Sequence, residues 1–314
     1  MSFLYVVASV FDAGLVQGLI HSLLALSVVV TLLSLDFPDL SIEGTFPMGA
    51  ALAAVCLADF RLAPVLVLVL AAVGGAGAGA VTGLLHVRFQ MSKLLSGISV
   101  AAMLYSLSLF IMRGRAGIPL LDIRTYFSPF EAIDRWCNGS ILQGWPYLHV
   151  GSILGVLLVA AVLFFVVNRV LTSEFGVVLR AVGINERALR HYGRRSGLYK
   201  VAGVALGNGL AALAGALSAQ FQGFADVNMG VGVLASSLLA VVLGQELFSR
   251  LRIPLHRPLL VTASAVFGAL AYQVVIAVVL ALGAPPTALR FLSGIALVLV
   301  IALGRRRSEV SFAW

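Results

Sequence analysis

The chain has 314 residues, of which 61% are hydrophobic and only 11% are charged. This balance excludes a soluble globular protein, and it is typical of a polytopic helical membrane protein. The net charge of +8 would suggest nucleic-acid binding in a soluble chain, but the basic residues concentrate in short stretches between apolar segments, so we expect no nucleic-acid partner.

The apolar segments predict one all-α membrane domain over residues 1–314, with about nine membrane segments, because a bilayer core of about 30 Å requires about 20 apolar residues per helix. Two of the segments, 38–58 and 229–247, are irregular, and the sequence leaves open whether residues 38–48 re-enter the membrane or cross it. The uninterrupted ones cover residues 11–35, 64–86, 93–112, 148–171, 198–221, 258–282 and 288–304.

Small residues spaced four apart favour close helix packing inside the bundle over a dimer seam. They are Gly75, Gly79 and Gly83, and then Gly203, Gly207, Ala211 and Gly215.

The two irregular segments resemble each other. The first opens with Asp36-Phe-Pro-Asp-Leu-Ser-Ile-Glu-Gly-Thr-Phe-Pro-Met-Gly49, and the second opens with Asp226-Val-Asn-Met-Gly-Val-Gly232. Each follows a span that contains a related pair, Gln17-Gly in the first and Asn208-Gly in the second. The offset between the copies is 191 residues at these pairs and 187 residues between Asp39 and Asp226. Since the loop charges orient the two units oppositely, we expect an inverted repeat.

Interrupted spans at corresponding positions of two inverted halves are typical of a transport site. Free backbone groups are tolerated in a membrane only within protein or against a cavity. The alternative is that the carboxylates merely cap the helices that follow, as Asp39 and Asp226 are placed to do. On the transport interpretation, the residues of the substrate path are Asp39, Ser41, Glu43, Gly44, Asp226 and Asn228.

The connection at residues 113–147 is broken by three prolines and carries both charge signs, so we expect a loop on the outer face of the membrane. Its Trp136, Trp145 and Tyr147 are typical of anchors at the level of the lipid headgroups. Docking of an external partner is the alternative function of this loop.

The loop at residues 172–197 is basic and amphipathic, and we expect two short helices hinged at Gly183, with Asn185 as the N-cap of the second. It is either a docking surface for a cytoplasmic partner or an ordinary basic loop that contacts anionic headgroups. With this loop inside, 15 of the 21 Lys and Arg residues lie in cytoplasmic stretches, including seven from Arg169 to Lys200. The N-terminus is then outside and the C-terminus inside. Before the hinge, one apolar face carries Phe175, Leu179 and Val182, and after it a basic face carries Arg187, Arg190 and Arg194.

The sequence offers no catalytic constellation. The five histidines are scattered without metal-ligand spacing, and no Gly-x-x-x-x-Gly-Lys-Ser/Thr phosphate loop occurs. We therefore expect no metal, no cofactor and no enzyme activity in this chain.

The stretch Glu174-Phe-Gly-Val-Val-Leu-Arg-Ala-Val-Gly-Ile-Asn-Glu-Arg-Ala188 resembles the coupling-helix region of ABC importer permeases of the branched-chain amino acid and ribose type. The segments Asp39–Ala50, Leu94–Ile98, Leu109–Met112 and Asp226–Gly230 resemble a poorly characterised branch of these permeases, which accompanies binding proteins of the tryptophan/tyrosine type. The resemblance covers residues 11–304, although Glu186 stands where such permeases commonly have Pro.

The resemblance implies the permease subunit of an ATP-driven importer in the bacterial cytoplasmic membrane, which moves a small organic solute such as an amino acid by alternating access. It implies a second copy of the permease, cytoplasmic ABC ATPase subunits that hydrolyse ATP, and an extracytoplasmic solute-binding protein. The alternatives are a nucleoside or sugar importer of the same class, or an ion-coupled secondary transporter. The ATPase-coupling residues that the resemblance implies are Glu174, Phe175, Arg180, Gly183, Asn185, Arg187 and Arg190.

Overall fold

The computed structural model describes residues 3–140, 148–191, 196–283 and 294–295, which are mostly helical. The first unit contains α1 (Phe3–Val28), α2 (Ile42–Ala58), α3 (Pro64–Arg88) and α4 (Lys93–Ile111), and α1 continues as a π-helix at Val29–Ser34. The central connection contains β1 (Gly117–Pro119), α5 (Glu131–Ser140), α6 (Val150–Thr172) and α7 (Glu174–His191). The second unit contains α8 (Ser196–Gln222), β2 (Phe224–Asp226), a 3-10 turn at Val227–Gly230, α9 (Val233–Arg250) and α10 (Pro258–Ala281).

Seven of the described helical segments are long and apolar enough to cross a membrane, which confirms a polytopic all-α membrane fold. They match six of the uninterrupted predicted spans and the irregular span at 229–247. The other irregular span is the shorter helix α2, of 17 residues. The predicted span at 288–304 lies outside the described residues except for 294–295, so the count of nine is not confirmed.

The helices are arranged as a buried centre within an outer ring that exposes apolar side chains. Most of the apolar stretch that begins at Phe11 of α1 is buried, and so is most of α8, whereas two thirds or more of the apolar stretches of α3, α4, α6 and α10 are not. Large apolar side chains such as Val73, Phe110 and Phe165 are more than half exposed on that ring. Exposed apolar area of this extent requires lipid or protein around it.

The most extensive helix contacts pair α3 with α8 and α1 with α10. The third helix of each unit therefore packs on the first helix of the other unit, which is the exchange that a repeat with twofold pseudo-symmetry would produce. This arrangement supports the predicted repeat.

Glycines make these contacts close. A Cβ built at Gly83 of α3 would lie 2.7 Å from the Cα of Val201 on α8, and one built at Gly79 would lie 2.7 Å from the Cβ of Asn208. The predicted role of the α3 ridge in packing inside the chain is thus confirmed. A second such contact, between Gly244 of α9 and Gly268 of α10, joins the helices of the second unit.

The two ends of the bundle differ. At one end, which we call the α7 end, α6 leads into α7 and α7 into α8. At the other, the ribbon end, β1 and β2 form a two-stranded antiparallel ribbon in which Ile118 pairs with Ala225. This ribbon is an addition to the predicted all-α fold. Strands of three residues have no periodicity that a sequence could reveal.

The segment at residues 36–59 runs from one end of the bundle to the other. At the α7 end, Asp36 Oδ2 lies 2.9 Å from Lys93 Nζ. At the ribbon end, Asp59 lies 3.3 Å from Arg113 and 3.8 Å from Arg115. The question of whether residues 38–48 re-enter or cross is thereby answered: the chain passes through the bundle.

Candidate functional site

Two irregular segments interrupt the helical bundle. The first break, residues 35–41, follows the π-helical end of α1 and contains Asp36 at φ 51°. The second break, residues 223–232, joins α8 to α9 and contains Gly223 and Gly232 at φ 76° and 80°. π-Helical turns inside α-helices occur frequently at functional sites.

The first break carries a buried polar cluster, which we call the Asp39 cluster: Asp39, Ser41, Thr45 and Asn208. The Oδ1 atom of Asp39 accepts from the backbone N–H of Ser41 at 2.9 Å and from its hydroxyl at 2.6 Å. The Oδ2 atom accepts from Nδ2 of Asn208 at 2.5 Å, and Oδ1 of Asn208 accepts from the Thr45 hydroxyl at 2.6 Å. All four residues are at most 1% exposed. Burial of polar groups is tolerated because they bond one another, so the cluster ties the first break to α8.

Glu43 and Gly44 lie in the first turn of α2. The Glu43 carboxylate accepts from the backbone N–H groups of Gly232 and Leu234 at the start of α9. A Cβ built at Gly44 would lie 2.9 Å from the Cα of Ala101, so this position packs directly on α4. Glu43 therefore joins α2 to the second break.

Asp226 and Asn228 lie in the second break. The Oδ1 atom of Asp226 accepts from the backbone N–H of Asn228 at 2.7 Å and caps the 3-10 turn. Gly230 packs directly on the Glu43 carbonyl and on Pro47. The two breaks, far apart in sequence, therefore both contact the beginning of α2. A role of these six residues in the substrate path stays a prediction.

The helix α7 consists of two parts, as predicted, but they meet at Asn185, which has the non-helical angles φ −153° and ψ 87°. The predicted hinge at Gly183 is therefore displaced by two residues. Gly183 is helical and serves close packing: a Cβ there would lie 2.6 Å from the Ser34 carbonyl oxygen and 2.9 Å from the Leu35 carbonyl carbon. α7 thus contacts the chain directly where the first break begins.

The apolar face of α7 is buried against the bundle. Leu179 is 0% and Val182 is 4% exposed. The Phe175 ring stacks on Tyr199 of α8 with a centroid distance of 5.4 Å. The predicted shared face is confirmed, and it fixes α7 to the ends of α1 and α8.

The polar side chains of α7 are placed as follows. Glu174 is the first residue of the helix, and Arg180 Nη1 donates to the Leu171 carbonyl at 3.0 Å. Burial lowers the pKa of the Arg180 guanidinium from its usual range. The backbone of Arg187 and Arg190 is helical, and their side chains lie outside the described part of the chain.

A buried ion pair links α7 to α8 and α3. Lys200 Nζ lies 2.7 Å from Glu186 Oε2 and 3.2 Å from His86 Nε2. The Ser196 hydroxyl donates to Glu186 Oε1 at 2.9 Å, and the His86 ring meets Phe37 of the first break edge-on at 5.3 Å. This set, which we call the Glu186 network, is absent from the sequence prediction. The one feature of the sequence that pointed to this network was Glu186 itself, which stands where permeases of this type commonly have Pro.

A family model described as "Branched-chain amino acid transport system / permease component" matches residues 10–301. The chain belongs to this permease family. The permease is accordingly a multi-pass membrane protein and a membrane subunit of the transporter type, from an ABC-type permease family for amino acid transport.

Two relatives match nearly the whole permease. A protein of Clostridioides difficile (strain R20291) named "Tyrosine transport system permease protein" is 34% identical over 291 residues, which are 92% of this chain and 89% of that one. An uncharacterized protein of Rickettsia prowazekii (strain Madrid E) is 30% identical over 298 residues, which are 95% of this chain and 99% of that one. No solved structure matches the permease significantly. The resemblance found in the sequence is confirmed by these matches.

Proposed function

We propose that the permease imports an amino acid by ATP-driven alternating access, in a complex with a second permease copy, ABC ATPase subunits and an extracytoplasmic solute-binding protein. The observation that supports the proposal is the close packing of α7 on the start of the first break. The sequence of α7 is the one that resembles a coupling helix, and Gly183 brings it directly onto residues 34–36.

A displacement of α7 by an ATPase would act on the first break at once. Leu179 lies over Gly203 of α8, whose Cβ would be 2.8 Å from the Leu179 Cδ1 atom. Glu186 holds α7 to the buried amine of Lys200. Movement of α7 would therefore shift α8 and residues 34–36 together, and with them the Asp39 cluster.

In the proposed orientation the α7 end faces the cytoplasm and the ribbon end faces outward. The N-terminus is then outside and the C-terminus inside, in a bacterial cytoplasmic membrane. The basic second half of α7 would face the ATPase, and the connection at residues 113–147 would face the solute-binding protein.

The solute we propose is an amino acid of the aromatic class, because one relative that aligns with 92% of this chain is named a tyrosine transport permease. The six residues of the predicted substrate path are proposed to respond to it. The Asp39 cluster and the Glu43 contact would then rearrange as the two breaks move against α2.

The test is a gentle detergent extraction of the tagged permease from its native membrane, with mass spectrometry of the proteins that co-purify. We expect an ABC ATPase and a solute-binding protein, and uptake of the bound amino acid after reconstitution with ATP. Recovery of the permease alone, with uptake driven by an ion gradient, would refute the importer and favour a secondary transporter. Uptake of a nucleoside or sugar would refute the amino acid.

A charge-reversal pair tests the coupling surface. Arg187→Glu with Arg190→Glu should abolish ATP-dependent uptake without loss of membrane insertion, because the basic face would then repel its docking site. Arg252→Glu reverses an exposed charge in another loop predicted to be cytoplasmic and should leave uptake unchanged. Wild-type uptake in the double variant would contradict the coupling role of α7.

A further inference from the structure

A cavity of about 640 Å³ lies at the ribbon end of the bundle, opposite α7. Its walls come from the connection that follows β1, from α5, from the start of α6 and from the last turn of α8. Ligand pockets for small molecules have volumes of roughly 300–1,000 Å³. The size fits an organic solute, and none of the six predicted path residues lies in its wall.

One buried amide nitrogen in the cavity wall has no hydrogen-bond partner among the described residues. Gln220 of α8 is 3% exposed, and its Oε1 accepts from the backbone N–H of Tyr126 at 2.8 Å. That bond fixes which end of the amide is nitrogen. The buried Nε2 finds no hydrogen-bond acceptor among the described residues. Buried donors are nearly always paired, so this N–H group, on a residue that lines the cavity, requires an acceptor that the described residues do not supply.

Two other polar side chains in the wall are already committed. Asp134 accepts from the backbone N–H of Gly151 at 2.5 Å and from the Ser152 hydroxyl at 3.1 Å, at the start of α6. His149 Nδ1 lies 2.6 Å from Asp12 Oδ2. These bonds hold the wall in shape.

The rim carries charges of both signs. Asp122, Arg124 and Glu131 are exposed and line the opening. None of the three forms a side-chain ion pair with another residue in the part of the chain that the structure describes. A ligand that carries a cation and an anion close together would meet a counter-charge for each.

One wall of the cavity is aromatic. Phe127 is 5% exposed, and its ring lies 5.5 Å from that of Phe221. A flat apolar side chain would pack against such a pair. The aromatic wall, the rim charges and the unpaired Nε2 group of Gln220 together match an α-amino acid with an apolar or aromatic side chain.

We propose that this cavity is a receiving site, in which an α-amino acid binds before it reaches the two breaks. Its carboxylate accepts from Gln220 Nε2, its ammonium group lies towards Glu131, and its side chain packs on Phe127 and Phe221. The inference rests on the proposed function, since it assigns a place to the imported solute. Gln220 and Asn208 lie on the same helix, about 18 Å apart along its axis, so the occupant contacts the element that carries the Asp39 cluster.

The test is titration calorimetry of the purified permease in nanodiscs, without binding protein or ATPase, against each proteinogenic L-amino acid. We expect an amino acid with an aromatic side chain to bind, and Gln220→Glu to weaken its binding by about tenfold or more because a carboxylate then faces a carboxylate. Gln220→Glu keeps an oxygen for the Tyr126 N–H. The matched control, Gln222→Glu, changes an exposed glutamine one half-turn further along and should bind like the wild type.

A second variant keeps the test independent of folding. Glu131→Gln changes a residue on the exposed rim and should weaken binding of the amino acid severalfold. An analogue of that amino acid without the amino group should bind this variant and the wild type equally well. Unchanged affinity in both Gln220→Glu and Glu131→Gln would overturn the receiving site. Failure of every amino acid to bind, while the reconstituted complex still imports one with ATP, would overturn the receiving site and leave the proposed function intact. Loss of that import would count against the function itself.

Discussion

The ion pair between Glu186 and Lys200 determines how firmly α7 is held, and its two partners should respond differently to removal. The Lys200 side chain is 8% exposed and the Glu186 side chain is 27% exposed. Glu186→Leu leaves a buried ammonium group whose remaining described partner is His86 Nε2 at 3.2 Å. Lys200→Met leaves a carboxylate that still accepts from Ser196 and reaches water.

Removal of one partner of a buried ion pair costs about 3–5 kcal/mol. Because His86 still accepts from Lys200, we expect Glu186→Leu to destabilise the docked α7 by about 3 kcal/mol, at the lower end of that range. Lys200→Met should cost about 1 kcal/mol, as for a partly exposed pair. The double variant should resemble Lys200→Met alone, because no buried charge is then left unpaired.

The assay is hydrogen exchange of the α7 amides, followed by mass spectrometry. Since about 1.36 kcal/mol corresponds to a tenfold change in an equilibrium constant, exchange should accelerate roughly a hundredfold in Glu186→Leu and about fivefold in Lys200→Met. Glu246→Leu is the control, because its partner Arg250 is 64% exposed and the pair should contribute little. Equal acceleration in the two single variants, or additive effects in the double variant, would refute the assigned asymmetry.

Two further predictions concern the packing of the bundle and the first break. Gly83→Ala should lower the free energy of unfolding by about 1–3 kcal/mol, because its Cβ would lie 2.7 Å from the Val201 Cα. The control Gly77→Ala has nothing within 4 Å of its Cβ and should be neutral or stabilising. Equal unfolding midpoints of the two variants in micelles would contradict this prediction. Asp39→Ala should lower the free energy of unfolding by about 2 kcal/mol or more, since it removes the acceptor of the buried Ser41 backbone N–H and one of the two acceptors of Asn208 Nδ2. Unchanged stability with altered substrate-stimulated ATP hydrolysis would show instead a contact with the solute.

The sequence was sufficient for features that repeat over many residues. Spans such as α3 and α6 are recognised because an average over about 20 residues exceeds the apolar threshold. The shared apolar face of Phe175, Leu179 and Val182 was predicted from helical spacing alone, and the structure shows that it packs on the bundle. The glycine ridges were likewise recognisable in the sequence, because small residues spaced four apart allow close packing of helices.

Features that depend on distant partners were not predictable in the same way. Lys200 was assigned to a group of loop cations, but it lies in the second turn of α8 and is 7% exposed. Its burial depends on Glu186 of α7 and His86 of α3, and no local sequence pattern indicates that these helices meet α8 there. The pairing of Ile118 with Ala225 was likewise not predictable, because each three-residue strand exists only by pairing with the other. Gly183 was predicted as a hinge from its residue type, whereas its function is close contact with Ser34.

The helix α8 connects the features that bear on transport. Its second turn carries Lys200 of the Glu186 network, its middle carries Asn208 of the Asp39 cluster, and its last turn carries Gln220 in the cavity wall. With 27 residues it is about 40 Å long, and because most of it is buried it moves only when its neighbours move. If the proposed ATPase displaces α7, α8 is displaced with it, and the cavity at the opposite end changes shape at Gln220. Coupling free energies are reciprocal, so an amino acid held at Gln220 must in turn bias the position of α7.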